Sequence, residues 1–262
     1  MLSLFNSAPS KIEELEQAAS MSEDFGDHEK AAEKCIEAMK TGLLEAPNVF
    51  RFGIRASKNF AREGLTESVN KTVQKWVIPN EKYVGSKTRV GACLFSVAEL
   101  LEKHGGNPLM VYGLVSERME VESPARAVHC LRKMGVILAS SEPPEFRQAS
   151  DAFLKAGKIS VKGDLLIKFS AKNFFMNAIL CLAASGVSPL ILSELHVINN
   201  TAVETDYLFK GSREAQFTES LIKALSEGSA EALKSSITGF TSIVAMERWQ
   251  QNLLSKITSH LA

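Results

Sequence analysis

Residues able to do catalytic or metal chemistry are present, but their spacing does not favour it. Five histidines, His28, His104, His129, His196 and His260, are scattered over 262 residues, as are four cysteines, Cys35, Cys93, Cys130 and Cys181. No cysteine pair has the short spacing of a zinc or thiol–disulfide motif. His129 and Cys130 are adjacent, yet neighbours on a helix diverge by about 100°, which argues against a Cys–His nucleophile. The sequence has no phosphate-binding loop, dinucleotide fingerprint or nucleophile elbow. The carboxylate pairs Glu13-Glu14 and Glu23-Asp24 fit solvated helix faces. The expectation is therefore a protein that is not an enzyme, with no cofactor and no metal. Each cysteine sits in an apolar helical context, where a free thiol serves as a small core hydrophobe, in keeping with a reducing cytosol.

Charge is the better-ordered signal. The thirty Lys and Arg balance thirty Asp and Glu, which excludes a strongly polybasic nucleic-acid binder and an acidic disordered tail. The balance is segmental: net −6 over 1–50, +5 over 51–103, +3 over 104–173 and −2 over 174–262. Lys58, Lys87, Arg89, Arg126, Arg132, Lys133, Lys168 and Lys172 fall on different expected helices. A stacked helical array could bring them onto one face for an acidic partner. Unrelated positions on a solvated surface fit the sequence equally well.

The elements that would position these side chains read as helices. Ser10-Lys11-Ile12-Glu13 has the form of a capping box. Asn107-Pro108, Ser123-Pro124 and Ser188-Pro189 each put a capping residue before a proline. Gly105-Gly106 and Gly186 suit helix ends. Val90, Cys93, Leu94, Val97 and Leu101 form one apolar stripe at helical spacing, and Val128, Leu131, Met134 and Leu138 form another. Strict alternation is scarce, and the pattern predicts roughly a dozen helices of about 10–18 residues. The expected fold class is all-α, a TPR-like α-solenoid of antiparallel helix pairs with a C-terminal helical bundle, although no well-formed TPR consensus occurs. The texture changes near Phe174, which predicts a helical-repeat region over 1–173 and a bundle over 174–262, packed as one continuous unit. The longest apolar tract, Ala178 to Leu192, is broken by Ser185, Gly186, Ser188 and Pro189 and is too short to span a bilayer. The start, Met1-Leu2-Ser3-Leu4-Phe5, soon gives way to acidic residues and does not read as a secretory leader. Leu2, Leu4 and Phe5 could instead dip into a membrane interface.

Four islands carry a resemblance. Gly163-Asp-Leu-Leu-Ile-Lys-Phe-Ser-Ala-Lys-Asn-Phe-Phe175 resembles the "LLKYSAKDYFF" stretch of alpha-type soluble NSF attachment proteins, the adaptors of vesicle fusion. Ser212-Arg213-Glu214 resembles the family's "SRE". Thr241 to Trp249 and the following Gln250 to Ile257 resemble "DSISRLDQWLTTMLLRIKK". Leu4-Phe5 followed by Ser10-Lys11-Ile12-Glu13-Glu14 resembles "LFGG…KIEE". The islands occur in family order and span nearly the whole chain, with a divergent middle.

The resemblance implies an adaptor that coats the four-helix SNARE complex and recruits the NSF ATPase, which then pulls the complex apart in vesicle trafficking and membrane fusion. It implies a cytoplasmic protein held peripherally at membranes. Carried over by position, Leu166, Lys168, Phe169 and Lys172 fall in the SNARE-contacting stretch. Lys58 and Lys133 match basic contact positions, while two others fall at Ala92 and His129, where Arg89, Arg126 or Arg132 could compensate. Leu2, Leu4 and Phe5 match the membrane-touching loop. Leu261 matches a penultimate leucine that stimulates the ATPase. The acidic run that precedes it in the family is missing, so Glu219, Glu227 and Glu231 become the acidic NSF-binding candidates. A different interaction scaffold on the same architecture, such as a lid or coat subunit, is the competing reading.

Overall fold

A computed structural model describes residues 10–261; Leu2, Leu4 and Phe5 lie outside the described residues. All regular structure among the described residues is helical. The chain divides into two compact units at Met119/Glu120. The change of texture expected at 173/174 falls within a helix of the second unit.

The first unit contains α1 (Lys11–Asp24), α2 (His28–Lys40), α3 (Ala46–Arg62), α4 (Thr66–Thr72), α5 (Lys87–Lys103) and α6 (Leu109–Met119). Between α4 and α5 the chain widens into a π turn, Val73–Val77, and then tightens into a 3-10 turn, Ile78–Tyr83. Local chemistry explains several boundaries. Ser10 and Glu13 form the expected capping box, with the Ser10 N–H donating to Glu13 Oε2 at 2.6 Å. Asn107 Oδ1 accepts from the Leu109 N–H at 3.0 Å, opening α6. The turn before it uses Gly105 at φ +79°, a conformation that favours glycine.

Helices α1 and α3 run parallel, because their cross-links advance together along both. Arg51 pairs with Glu16, Arg55 with Glu23, and Asn59 Nδ2 donates to Glu23. Arg55 grips Glu23 through Nε and Nη2 at 2.9 and 2.8 Å, a two-point guanidinium–carboxylate contact. The Arg55 guanidinium holds the Glu23 carboxyl below the usual carboxylate range.

The second unit contains α7 (Pro124–Ser140), α8 (Phe146–Lys162), the single turn α9 (Leu165–Lys168), α10 (Ala171–Ala184), α11 (Pro189–Thr205), α12 (Arg213–Ser226), α13 (Ala230–Thr241) and α14 (Arg248–Ser259). Helices α8 and α10 run antiparallel: Ser150 Oγ donates to the Ala178 carbonyl at 2.8 Å, and Gly157 faces the Phe175 ring. The absent side chain at Gly157 makes room for that ring, since a Cβ there would lie 2.8 Å from Phe175 Cε1. Gly135 makes the same notch for Phe153 between α7 and α8.

Helix α10 is the centre of this unit, and every residue from Phe174 to Ala184 is buried. The span Leu165–Ala184 is long and apolar enough to cross a membrane by length and composition, but 56% of its most apolar window is buried inside the protein. Burial on all sides is what an all-round apolar helix in a protein core requires. The apolar tract that continues to Leu192 in sequence breaks at Gly186 and resumes as α11, capped by Ser188 and opened by Pro189 as expected. Ser123 differs from that pattern: it precedes Pro124 but makes no side-chain cap.

Helix α14 runs parallel to α10. Gln250 Nε2 donates to Asn177 Oδ1 at 2.8 Å, and His260 Nε2 lies 3.1 Å from the Ala184 carbonyl further along. Thr218 Oγ1 donates to Asn199 Oδ1 at 3.0 Å, tying the antiparallel pair α11 and α12. Two ends of the second unit follow from these directions. One gathers the C-terminus of α8, α9, the N-terminus of α10, the C-terminus of α11 and the N-terminus of α12. The other gathers the C-termini of α10, α12 and α14.

Candidate functional site

At the first of these ends, the chain leaves α8 at Gly163 and makes one short turn. Asp164 caps it, accepting from the Ile167 N–H at 3.2 Å. A four-residue helix is too short to bury a face. It presents Leu165, Leu166 and Phe169 to solvent, Leu166 at 84% and Phe169 at 53% exposure. Tyr207, at 71% exposure, stands beside this turn. Lys168 Nζ lies 4.9 Å from the centre of its ring, a cation–π contact that joins α9 to the chain after α11. Large apolar groups clustered in solvent and flanked by a cation mark an interaction surface.

Lys172 lies one turn along, in α10. Its ammonium is 3.0 Å from Glu214 Oε1, with side-chain exposures of 35% and 9%. Glu214 Oε2 is buried without a hydrogen-bond partner among the described residues. Lys172 therefore holds the start of α12 to the start of α10. Buried apolar groups beneath, Ala171, Phe175, Phe209 and Ala215, complete the support, with Phe175 and Phe209 edge to face at 5.8 Å.

The other basic candidates of this unit are engaged within the protein. Arg132 pairs with Glu247 at 2.8 Å, where α14 begins and Trp249 stacks on Phe153. Arg126 and Lys133 also have internal partners. In the first unit, Lys58 is half-buried on α3, and Lys87 and Arg89 are exposed on the first turn of α5. None of these three makes an ion pair among the described residues.

The opposite end of the second unit carries Glu227 at the C-cap of α12, Glu231 in the first turn of α13, and Leu261 just after α14. Glu227 and Glu231 are exposed, and Lys223 approaches Glu227 only to 3.9 Å. The His260 contact to α10 fixes the chain immediately before Leu261. Glu219 sits midway along α12, exposed.

Among the described residues, no three His, Cys, Asp or Glu side chains gather as metal ligands. Burial pushes the Cys35 thiol up to about 12 and the Cys181 thiol up as well, away from the thiolate form that a nucleophile needs. Tyr207 and Leu165 belong to the exposed cluster, yet sequence reasoning did not single them out. Leu165 was legible as part of an apolar pair after a glycine and an N-cap aspartate, whereas Tyr207 reaches the cluster only through tertiary packing.

A sequence model for the soluble NSF attachment protein family, SNAP, matches residues 85–262. The chain belongs to that family. The SNAP match covers α9, Tyr207 and both ends of the second unit. A vesicular-fusion protein SEC17 from Komagataella phaffii is 24% identical over 250 residues, covering 94% of this chain and 76% of that relative. An alpha-soluble NSF attachment protein from Saccharomyces cerevisiae is 30% identical over 113 residues, 43% of this chain and 37% of the relative. A beta-soluble NSF attachment protein from Bos taurus is 29% identical over 138 residues, 52% of this chain and 43% of the relative. The chain thus spans about three-quarters of the first of these SNAP relatives and less than half of the other two.

Proposed function

We propose that this SNAP-family chain is a non-enzymatic adaptor that binds the assembled SNARE four-helix complex and recruits the NSF ATPase for its disassembly in vesicle trafficking. The observation that carries the reading is the α9 turn, where Leu166, Phe169 and Tyr207 stand in solvent beside Lys168. An acidic helical bundle offers the complement to such a surface, apolar grooves between helices and carboxylates along their faces. Lys168 is the cation placed to meet those carboxylates directly. Lys172 contributes charge while bound to Glu214, and Arg126, Arg132 and Lys133 add to the field from paired positions. Lys58, Lys87 and Arg89 extend the basic set in the first unit.

The end bearing Glu227, Glu231 and Leu261 is the side offered to NSF, with Glu219 between the ends. Separation of the two ends allows the SNARE complex and the ATPase to be held at once. Leu2, Leu4 and Phe5 supply a peripheral membrane contact for a cytoplasmic protein, and nucleic acid is not a partner. A pull-down with purified SNARE complex at low and high salt tests the reading. Retention at low salt that falls as salt screens the contacts is expected. No retention at low salt overturns it.

A further inference from the structure

The first unit contains a cleft of about 320 Å³ between α3 and the start of α5. Phe50 and Ile54 of α3, both buried, form its apolar wall, and Val84 and Cys93 line the facing side. Two guanidinium groups, Arg51 and Arg89, stand in the same lining. Arg51 is partly satisfied, with Glu16 at 3.1 Å. Arg89 makes no ion pair among the described residues and is exposed. Lys82, whose ammonium lies 5.1 Å from the centre of the Tyr83 ring, adds positive charge beside the cleft. An apolar slot with cations in its lining is complementary to one kind of ligand, a narrow hydrocarbon body that ends in an anion. Its volume is at the small end for ligand pockets, which fits one alkyl chain.

We propose that this cleft binds a single-chain anionic amphiphile, with the chain against Phe50, Ile54 and Cys93 and the carboxylate or phosphate head on Arg89. The proposal adds a small ligand to the adaptor role and does not depend on it. Arg51 assists from its contact with Glu16, and Arg89 supplies a charge that has no ion pair among the described residues.

Cys93 is a built-in reporter. It is half-buried in the cleft lining, while Cys35, Cys130 and Cys181 are buried. The test uses the full chain and follows the rate at which Cys93 reacts with a soluble aromatic disulfide. Dodecanoate and dodecyl phosphate, each below its micelle concentration, should slow that reaction at least fivefold. Each two methylenes removed from the chain should raise the concentration required about tenfold, as burial of alkyl groups predicts. Arg89→Gln should raise it at least tenfold without changing the helical circular dichroism spectrum, because Arg89 is exposed. A Cys93→Ser variant followed by titration calorimetry should bind dodecanoate with the same chain-length dependence.

The proposal is overturned if neither amphiphile protects Cys93, or if dodecyl maltoside protects it equally. Protection by inorganic phosphate alone would also overturn it, as would an unchanged response in Arg89→Gln. Protection by phosphatidylserine vesicles without any by the monomeric amphiphiles would indicate membrane docking and likewise refute it.

Discussion

Replacing Lys172 by Met tests whether the ion pair beneath the α9 surface is structural. The lysine lies 3.0 Å from a glutamate whose side chain is 9% exposed. The second oxygen of that carboxylate already lacks a partner among the described residues. At an effective dielectric of about 20, two charges at this distance attract by about 5 kcal/mol before desolvation is counted. Deleting one member of a fully buried pair costs about 3–5 kcal/mol, because the other charge is left uncompensated. Lys172 is 35% exposed, so water screens part of the interaction and the expected cost falls to about 2 kcal/mol. For a chain of this size that corresponds to a fall in Tm of about 4–8 °C. Glu214→Gln should cost less, about 1 kcal/mol, since it removes the buried charge and lets the lysine return to water. The double variant should be more stable than the sum of the two single losses predicts, with a coupling of about 1 kcal/mol or more. Urea melts of the four proteins provide the assay. A loss below about 0.5 kcal/mol for Lys172→Met, with additive single effects, would refute the assignment of Lys172 to the fold.

Leu166→Ser combined with Phe169→Ser should leave stability within about 0.5 kcal/mol, because both side chains are exposed, while SNARE-complex retention in a pull-down falls at least tenfold. Gly157→Ala should destabilise the second unit by about 1–3 kcal/mol in urea melts, since the new methyl group meets the buried Phe175 ring at 2.8 Å. Glu23 has its folded pKa depressed by Arg55, so its contribution is present above the ordinary carboxylate value of 4.5 and lost as pH falls through the lower folded value. The stability gap between the native chain and Glu23→Gln, measured by thermal melts from pH 7 to pH 3, should accordingly shrink below about pH 4.5. Leu261→Ala should lower NSF stimulation while leaving SNARE binding intact, and a malachite-green phosphate assay beside the pull-down separates the two.

Much of the helical framework was legible because its signals are local. The Ser10 capping box and the Ser188-Pro189 start are made within four residues, and both form as read. Ser123 has the same local pattern without the hydrogen bond, since its backbone takes φ −145° and ψ 64° and its hydroxyl makes no cap. The π turn at Val73–Val77 had no sequence signal; there Trp76 and Val77 pack against Gly53 of a different helix. The apolar run from Ala178 to Leu192 is divided between two helices at the break that Ser185, Gly186, Ser188 and Pro189 mark. The deepest apolar element, Phe174 to Ala184, was legible as a change of texture at Phe174, but burial on every side leaves no periodicity to mark which face meets which neighbour.

The candidate site divides in the same way. Leu166 and Phe169 could be named only through the resemblance of the Gly163–Phe175 stretch to the family, and Lys168 through that and its charge; the single exposed turn that carries them has no mark of its own in the sequence. The pairing of Lys172 with Glu214, of Arg132 with Glu247, and the arrival of Tyr207 depend on helix directions that sequence alone does not specify.

The adaptor role is tested most directly by following NSF-driven disassembly of a fluorescently labelled SNARE complex with ATP present. Adding the chain should accelerate disassembly in proportion to its occupancy of the complex, and the Leu166→Ser, Phe169→Ser variant should fail to do so while remaining folded. Disassembly that proceeds at the same rate with and without the native chain, at concentrations that saturate the complex, would contradict the account.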